Sequence, residues 1–211
     1  MSIWVLAGTN GAGKSSVGGA MIRASGADYY NPDEAAREII EANPGTSITE
    51  ANSAAWYEGR RLLERAIAER GNFAFETTLG GSTIVKLLES AIDAGIDVHV
   101  WYVALASPEL HLARIKARVE RGGHDIPERD VRRRYDASRQ NLIALLLRLA
   151  SVRVYDNSAD ANPTTGEAPE PLPVLHMERG KIVEHCKLAT APDWAKPILQ
   201  TALETRRRKG R

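Results

Sequence analysis

Cysteine is nearly missing from this chain of 211 residues: Cys186 stands alone, so no internal disulfide can form, and a reducing compartment suits it. An excess of either charge is missing too. Lys and Arg number 28 against 27 Asp and Glu, and a net charge of +1 offers no broad electrostatic footprint for nucleic acid. The basic end, Arg206-Arg207-Arg208-Lys209-Gly210-Arg211, is the local exception and reads as a solvated tail. No apolar run reaches membrane-spanning length, and the start lacks a basic segment leading into a hydrophobic stretch with a small-residue cleavage site. The expectation is therefore a cytoplasmic protein with neither a membrane nor a nucleic-acid partner. Internal repeats and low-complexity blocks are also lacking. What is present is the composition of an ordinary globular protein, 43% hydrophobic and 26% charged, long enough for one domain with a full core.

The first apolar run, Ile3 to Ala7, leads straight into Gly8-Thr9-Asn10-Gly11-Ala12-Gly13-Lys14-Ser15. That pattern, G-x-x-x-x-G-K-S, arises in about 1% of random chains of this length at average residue frequencies. It points to a nucleoside triphosphate. Glycines let the backbone turn tightly enough to aim its N–H groups at a phosphate, Lys14 supplies a point charge for the β and γ oxygens, and Ser15 offers a hydroxyl to Mg²⁺. The helix that follows adds the positive end of its dipole. Gly8, Asn10, Gly11, Ala12, Gly13, Lys14, Ser15 and Ser16 are thus the candidate ATP-binding residues.

Along the chain, apolar runs alternate with helical periodicity. A helix is expected from Gly13 to about Ala24, weakened by Gly18-Gly19, and a short strand over Asp28 to Tyr30. Asn31 caps the next helix, with Pro32 at its first position and Glu34 completing a capping box. Helices are expected over Thr49–Arg70, Thr83–Ala94, Ser107–Arg121 and Glu128–Leu149, and strands over Asn72–Thr78, Asp97–Ala106 and Val152–Tyr155. A polar Pro- and Gly-bearing stretch, Ser158 to Pro173, precedes a hairpin turned at Arg179-Gly180, and Pro192 to Glu204 reads as a final helix. Repeated βα units imply an α/β, three-layer P-loop fold, like the nucleoside and shikimate kinases, with a mostly parallel five-stranded sheet and helices on both faces. The single domain spans 1–211: a core over 1–158, a lid at about 118–135, and a hairpin and helix over 172–205 as an appendage.

A phosphate cradle leaves open where the γ-phosphate goes. A small-molecule kinase needs a carboxylate near the acceptor hydroxyl, a pocket for the acceptor, and a mobile arginine-bearing lid. Asp33, at a helix start on the side of the carboxyl ends of the strands, suits the first role, although it would also simply favour the helix dipole. Glu76, with Thr77 and Thr78, ends a strand, where a carboxylate calls for a polar partner. It would equally suit an ATPase that positions water. Arg114, Arg118 and Arg121 share one helix face before Gly122-Gly123, and Arg132, Arg133 and Arg134 follow. Paired glycines give a hinge, and arginine forks suit a developing phosphoryl charge. His124 at that hinge is a further candidate phosphate ligand.

These segments, in this order, resemble the zeta toxin family of P-loop kinases: Gly8 to Ser15, Asn31-Pro32-Asp33, Phe75-Glu76-Thr77-Thr78-Leu79, Arg121-Gly122-Gly123-His124-Asp125-Ile126-Pro127-Glu128 with Arg132-Arg133-Arg134-Tyr135, and Tyr155-Asp156-Asn157-Ser158. The likeness runs from Ser2 to about Ser158, and the chain also resembles a compact branch of that family; the Gly-Gly-His-Asp-Ile-Pro lid departs from that of the well-known toxins. It implies transfer from ATP to the 3′-hydroxyl of the sugar in UDP-N-acetylglucosamine, and a short antitoxin covering the nucleotide site. By the same resemblance Lys14 is the phosphate clamp, Asp33 the catalytic base, Glu76 a substrate-orienting carboxylate, and the arginines around Arg118 and Arg121 stabilise the transition state. Thr77, Thr78, His124 and Arg134 complete the expected substrate site. The alternative from a different class is a nucleotide-dependent switch or ATPase acting on a protein partner.

Overall fold

A computed structural model describes residues 1–19, 29–160 and 170–209. Five strands run parallel: β1 (Ser2–Ala7), β2 (Tyr29–Tyr30), β3 (Phe73–Thr77), β4 (Asp97–Ala104) and β5 (Ser151–Asp156). With β6 (Leu172–Glu178) and β7 (Lys181–His185) they make one seven-stranded sheet in the order β2-β3-β1-β4-β5-β6-β7. Strand β1 lies between β3 and β4, parallel to both, so the chain leaves it for one side of the sheet and returns for the other. That reversal opens a crevice beyond the carboxyl end of β1, where a ligand fits an open α/β sheet.

The hairpin is the main departure from expectation. It extends the sheet, with β6 pairing antiparallel to β5 from Ser151↔Glu178 to Asp156↔Leu172. An unpaired β5 edge would leave a row of backbone donors and acceptors exposed, and β6 satisfies them. Its Val174, Leu175 and Met177 then enter the main core with Trp194, Ile198, Leu199 and Ala202 from the chain's last helical segment. Trp194 Nε1 donates to Asp156 Oδ2 at 2.5 Å, tying that segment to the end of β5. Arg179 and Gly180 turn the hairpin with φ 46° and 69°, as a tight two-residue turn requires.

Among the described residues six regular helices surround the sheet: α2 (Pro32–Ala42), α3 (Ile48–Ala68), α4 (Ser82–Asp93), α5 (Pro108–Val119), α6 (Glu128–Leu145) and α7 (Lys196–Lys209). Local chemistry sets three of their starts. Ser47 and Glu50 form a reciprocal capping box at α3, and Ser107 caps α5 by accepting from Leu110 N–H at 3.2 Å. At α2 Asn31 is the N-cap and Pro32 opens the helix, as expected, with Asn31 Oδ1 accepting from Asp33 N–H at 2.9 Å. The first helix also departs from the regular form, because Ser15–Gly19 makes a short wide turn, α1. A β-carbon on Gly18 would lie 2.6 Å from Leu6 Cδ1, so the glycine lets α1 settle on β1 at a cost in helix propensity. The continuation to Ala24, Asp28 of the second strand, residues 161–169 and the side chains of the basic tail lie outside the described residues.

The main core lies on one face of the sheet, where Ile3, Val5, Phe73, Phe75, Val98, Val100 and Tyr102 meet Leu63, Leu88, Leu142, Leu145 and Ile198 from the helices. A smaller cluster of Leu6, Ala12, Ala74, Trp101 and Val103 fills the other face beneath the Gly-rich loop. Among the described residues no helix is long and apolar enough to cross a membrane.

Candidate active site

The Gly-rich loop is shaped by contacts that leave little room for side chains. Gly8 has φ 141°, and a β-carbon there would sit 2.0 Å from Val103 O, so the loop can leave β1 only through glycine. At Gly13, φ 80°, the same atom would meet Asn157 Nδ2 at 2.5 Å. That amide donates to Ala12 O at 2.8 Å and braces the loop from the end of β5. From the other side, fully buried His111 of α5 bonds through Nδ1 to Asn10 O at 2.7 Å. Burial pulls the His111 pKa down to about 4, against the opposing pull of the Asn10 carbonyl, so the ring is neutral at pH 7 and its Nδ1–H donates.

Lys14 and Glu76 meet at the centre of the crevice. Lys14 Nζ lies 3.3 Å from Glu76 Oε1, and their side chains are only 7% and 10% exposed. Ser15 Oγ donates to Glu76 Oε2 at 3.0 Å and Tyr29 OH donates to the same oxygen at 3.1 Å. Pairing and hydrogen bonds together make the buried carboxylate tolerable. The strand register explains the meeting: Glu76 stands opposite Leu6 at the carboxyl end of β3, just where β1 gives way to the loop.

A cleft of about 290 Å³ opens from this point and brings most of the sequence-derived candidates together: Asn10, Lys14, Asp33, Glu76, Thr77, Thr78, His124 and Arg134 all line it. Asp33 reaches it from the first turn of α2. Arg134 crosses from α6, with Nη1 donating to Asn10 Oδ1 at 2.9 Å. Its guanidinium pKa is lowered by burial, against the pull of Asp130 and Asp33, and an arginine stays charged all the same.

The other arginines divide differently. Arg118 packs under the lid turn: Nη2 donates to His124 O at 3.1 Å, and a β-carbon on Gly123 would lie 2.7 Å from Arg118 Cγ. Its buried Nε has no partner among the described residues. Arg121 is exposed and outside the cleft lining. Arg114 donates to Ala159 O, Arg132 bridges Glu109 and Glu128, and Arg133 pairs with Asp130. The lid carries its own apolar seam of Ile115, Ile126 and Val131, so it is packed rather than loose. Of the loop candidates, the Ser16 side chain lies outside the described residues.

Several lining residues escaped the sequence reading: Tyr30, Asn52, Trp56, Arg60, Asp125 and Asp130. Asn52, Trp56 and Arg60 recur every four residues on α3, which was a legible stripe, but nothing in it told cleft from solvent. His111 gave no signal at all.

The loop and the carboxylate suit a nucleotide with its metal. Glycine-only contacts at Gly8 and Gly13 keep the cradle clear, while a hydroxyl at Ser15 and the Glu76 carboxylate are the hard oxygen donors Mg²⁺ prefers. The zeta toxin family model matches residues 2–162. The chain belongs to the zeta toxin family. An uncharacterized protein of Haemophilus influenzae is 36% identical over 135 residues, covering 61% of this chain and 88% of that one. Among solved structures, AvrRxo1-ORF1 in complex with AvrRxo1-ORF2 and ATP superposes with a TM-score of 0.64 at 16% identity over 95% of this chain. This zeta toxin family member spans 63% of the length of that chain. The PezAT toxin-antitoxin structure from Streptococcus pneumoniae gives a TM-score of 0.54 at 16% identity, covering 74% of this chain and 67% of its own. The likeness to these solved structures is one of fold.

Proposed function

We propose that this protein is an ATP- and Mg²⁺-dependent phosphotransferase that moves the γ-phosphoryl group to a hydroxyl of a small polar metabolite, with nucleotide sugars such as UDP-N-acetylglucosamine as the leading acceptors. The observation that carries this reading is the shared cleft, in which Asp33 faces the same space as Lys14 and Arg134. A hydrolase needs no such second compartment. The acceptor oxygen attacks the γ-phosphorus, the bond from that phosphorus to the bridging oxygen breaks, ADP departs, and Asp33 takes the hydroxyl proton. Lys14 and the loop N–H groups hold the donor phosphates, and Arg134 offsets charge on the phosphoryl group in transit.

Mg²⁺ when bound would neutralise charge on the β and γ oxygens, and Ser15 with Glu76 are the residues placed to hold it. Glu76 therefore serves the phosphate end in this proposal, where its contacts to Lys14, Ser15 and Tyr29 lie, more than the acceptor. The same contacts favour a second reading, an ATPase in which Glu76 orients water. ³¹P NMR with MgATP and a panel of nucleotide sugars separates the two. A new phosphomonoester signal that disappears in Asp33→Asn supports transfer; inorganic phosphate alone, unchanged by every acceptor, supports hydrolysis. The complex with AvrRxo1-ORF2 and the PezAT toxin-antitoxin pair make a small protein antitoxin the partner we propose, and the cytoplasm, where ATP and nucleotide sugars occur together, the place of action.

A further inference from the structure

The sheet carries a second groove, on the face turned away from the main core. Alternation along the strands sends Ile3, Val98 and Val152 into that core, so their neighbours Trp4, His99 and Ser151 point to the opposite side. Strand register then sets out two rows: Trp4, His99, Ser151, Glu178 and Lys181 across β1, β4, β5, β6 and β7, and Trp101, Arg153 and His176 beside them. A groove of about 640 Å³ runs over these rows and shares no lining residue with the cleft that holds Lys14 and Asp33. Its floor is aromatic. Trp4 and His99 stack with ring centroids 4.0 Å apart and planes 14° from parallel, and the Arg153 guanidinium lies 5.8 Å from the centre of the Trp101 ring. Burial lowers the His99 pKa, so at pH 7 the ring is neutral, and its Nδ1 bonds Ser151 Oγ at 2.7 Å. Ser151 is the small side chain of its row, so the floor dips between the rings and Glu178.

The charges over this floor do not balance. Arg153, Arg179 and Lys181 face Glu178, the one carboxylate among the described lining residues, and Glu178 Oε1 already lies 3.2 Å from His176 Nε2. Arg179 is taken up by Asp97, with Nη1 and Nη2 at 3.2 and 2.9 Å from its two carboxylate oxygens. Arg153 and Lys181 have no acidic partner among the described residues. From this unspent positive charge beside aromatic surface, we propose that the groove binds a small planar aromatic carboxylate, its ring against Trp4 and His99 and its carboxylate on Arg153, with Lys181 adding attraction. A guanidinium fork meets a carboxylate in its own plane, which suits a flat ligand lying along the sheet, and contact with the rings supplies the apolar part of the affinity. Such a ligand has neither base nor phosphate. It is a class apart from both substrates of the proposed kinase, and its binding does not depend on that reaction.

Chemical-shift titration of ¹⁵N-labelled protein, with and without saturating Mg²⁺ and AMP-PNP, tests this and locates the ligand. The probes are benzoate, its neutral counterpart benzamide, and cyclohexanecarboxylate, which is anionic but not flat. In the wild type benzoate shifts the indole N–H signals of Trp4 and Trp101, equally well with AMP-PNP present, and binds about tenfold more tightly than benzamide, as expected for a hydrogen-bonded charge pair. Cyclohexanecarboxylate binds more weakly than benzoate. Arg153→Met keeps an apolar stem beside Trp101 and removes the charge, so benzoate falls about tenfold while benzamide is unchanged. Lys181→Glu lies at an exposed position of β7, where the fold tolerates it, and weakens benzoate about threefold; it keeps the charge test open should Arg153→Met fold poorly. Lys86→Gln, exposed on α4 across the sheet, leaves the affinity unchanged. The proposal is overturned if benzoate binds no better than benzamide or cyclohexanecarboxylate, if neither charge variant weakens it, or if the two indole signals do not move. Binding that AMP-PNP abolishes would overturn it too, by placing benzoate in the catalytic cleft.

Discussion

The two ends of the cleft are built on opposite plans. At the phosphate end, one contiguous loop supplies nearly everything, and the rest of the fold braces it: Asn157 holds Ala12, His111 holds the Asn10 carbonyl, and Arg134 holds the Asn10 side chain. At the acceptor end no segment dominates. Asp33 comes from α2, Trp56 from α3, Thr78 from the end of β3, and His124 and Asp130 from the lid. Tight local geometry suits a ligand that every P-loop protein shares, and a composite wall suits one that differs between relatives.

Substitutions at the two ends should separate accordingly. The largest effect is expected at the phosphate end, where Lys14→Ala removes a charge aimed at the transferred group and should lower kcat/KM about 10³-fold while also weakening ATP. Asp33→Asn should lower kcat about 10²- to 10³-fold with the KM for ATP nearly unchanged. Transfer that survives Asp33→Asn and is lost in Lys14→Ala would break the division and move the base to Glu76. Steady-state assays with each substrate varied in turn distinguish these outcomes.

The lid arginines give a finer comparison. Arg134→Ala should cost about 10²-fold in kcat, while exposed Arg121→Ala should stay within twofold of wild type. Equal losses would mean that lid closure brings Arg121 into the cleft. Arg118→Ala should act through stability and lid order, because its guanidinium holds the His124 carbonyl, and a fall in melting temperature beside a modest change in kcat would show it.

A separate effect, on stability and not on turnover, concerns the brace itself. His111 is buried neutral with its pKa depressed from 6.5 to about 4. Between those values the unfolded chain binds more protons than the folded one, so stability falls as pH drops. His111 leaves stability unaffected above pH 6.5 and draws it down progressively to about pH 4, by ~3 kcal/mol in total from this residue. Denaturant titrations from pH 7.5 to 4.5 should show that slope in the wild type and a flatter one in His111→Gln.

The geometry of the Gly-rich loop was legible in the sequence because its motif is written in consecutive residues. A tight turn that presents amide N–H groups demands glycine at fixed steps, and a lysine and serine must follow directly. The parallel core was legible for a similar reason: buried strands such as β4 read as near-continuous apolar runs, and Asn31-Pro32 and Ser107-Pro108 mark helix starts by local bonds. The joining of the hairpin to β5 was not legible. A strand's alternation says that it has a partner and never which one, and β6 met its partner only when the sheet edge was in place.

The lid arginines show the same limit most sharply. Three arginines at helical spacing and three in a row carry identical charges, yet only Arg134 lines the cleft, because the packing of Ile115, Ile126 and Val131 rotates α6 so that this one position looks inward. The sequence by itself determined that the sheet is mainly parallel and that a carboxylate follows the second strand, and it raised the expectation of a bound triphosphate. Tertiary structure decided which arginine faces the cleft, that His111 braces the loop, that Glu76 sits on Lys14 and Ser15, and that Trp56 faces Asp33's side of the site. Turn geometry and burial depend on neighbours in the chain and leave local marks, while the lining of a cleft depends on helix rotations fixed by residues far away in sequence.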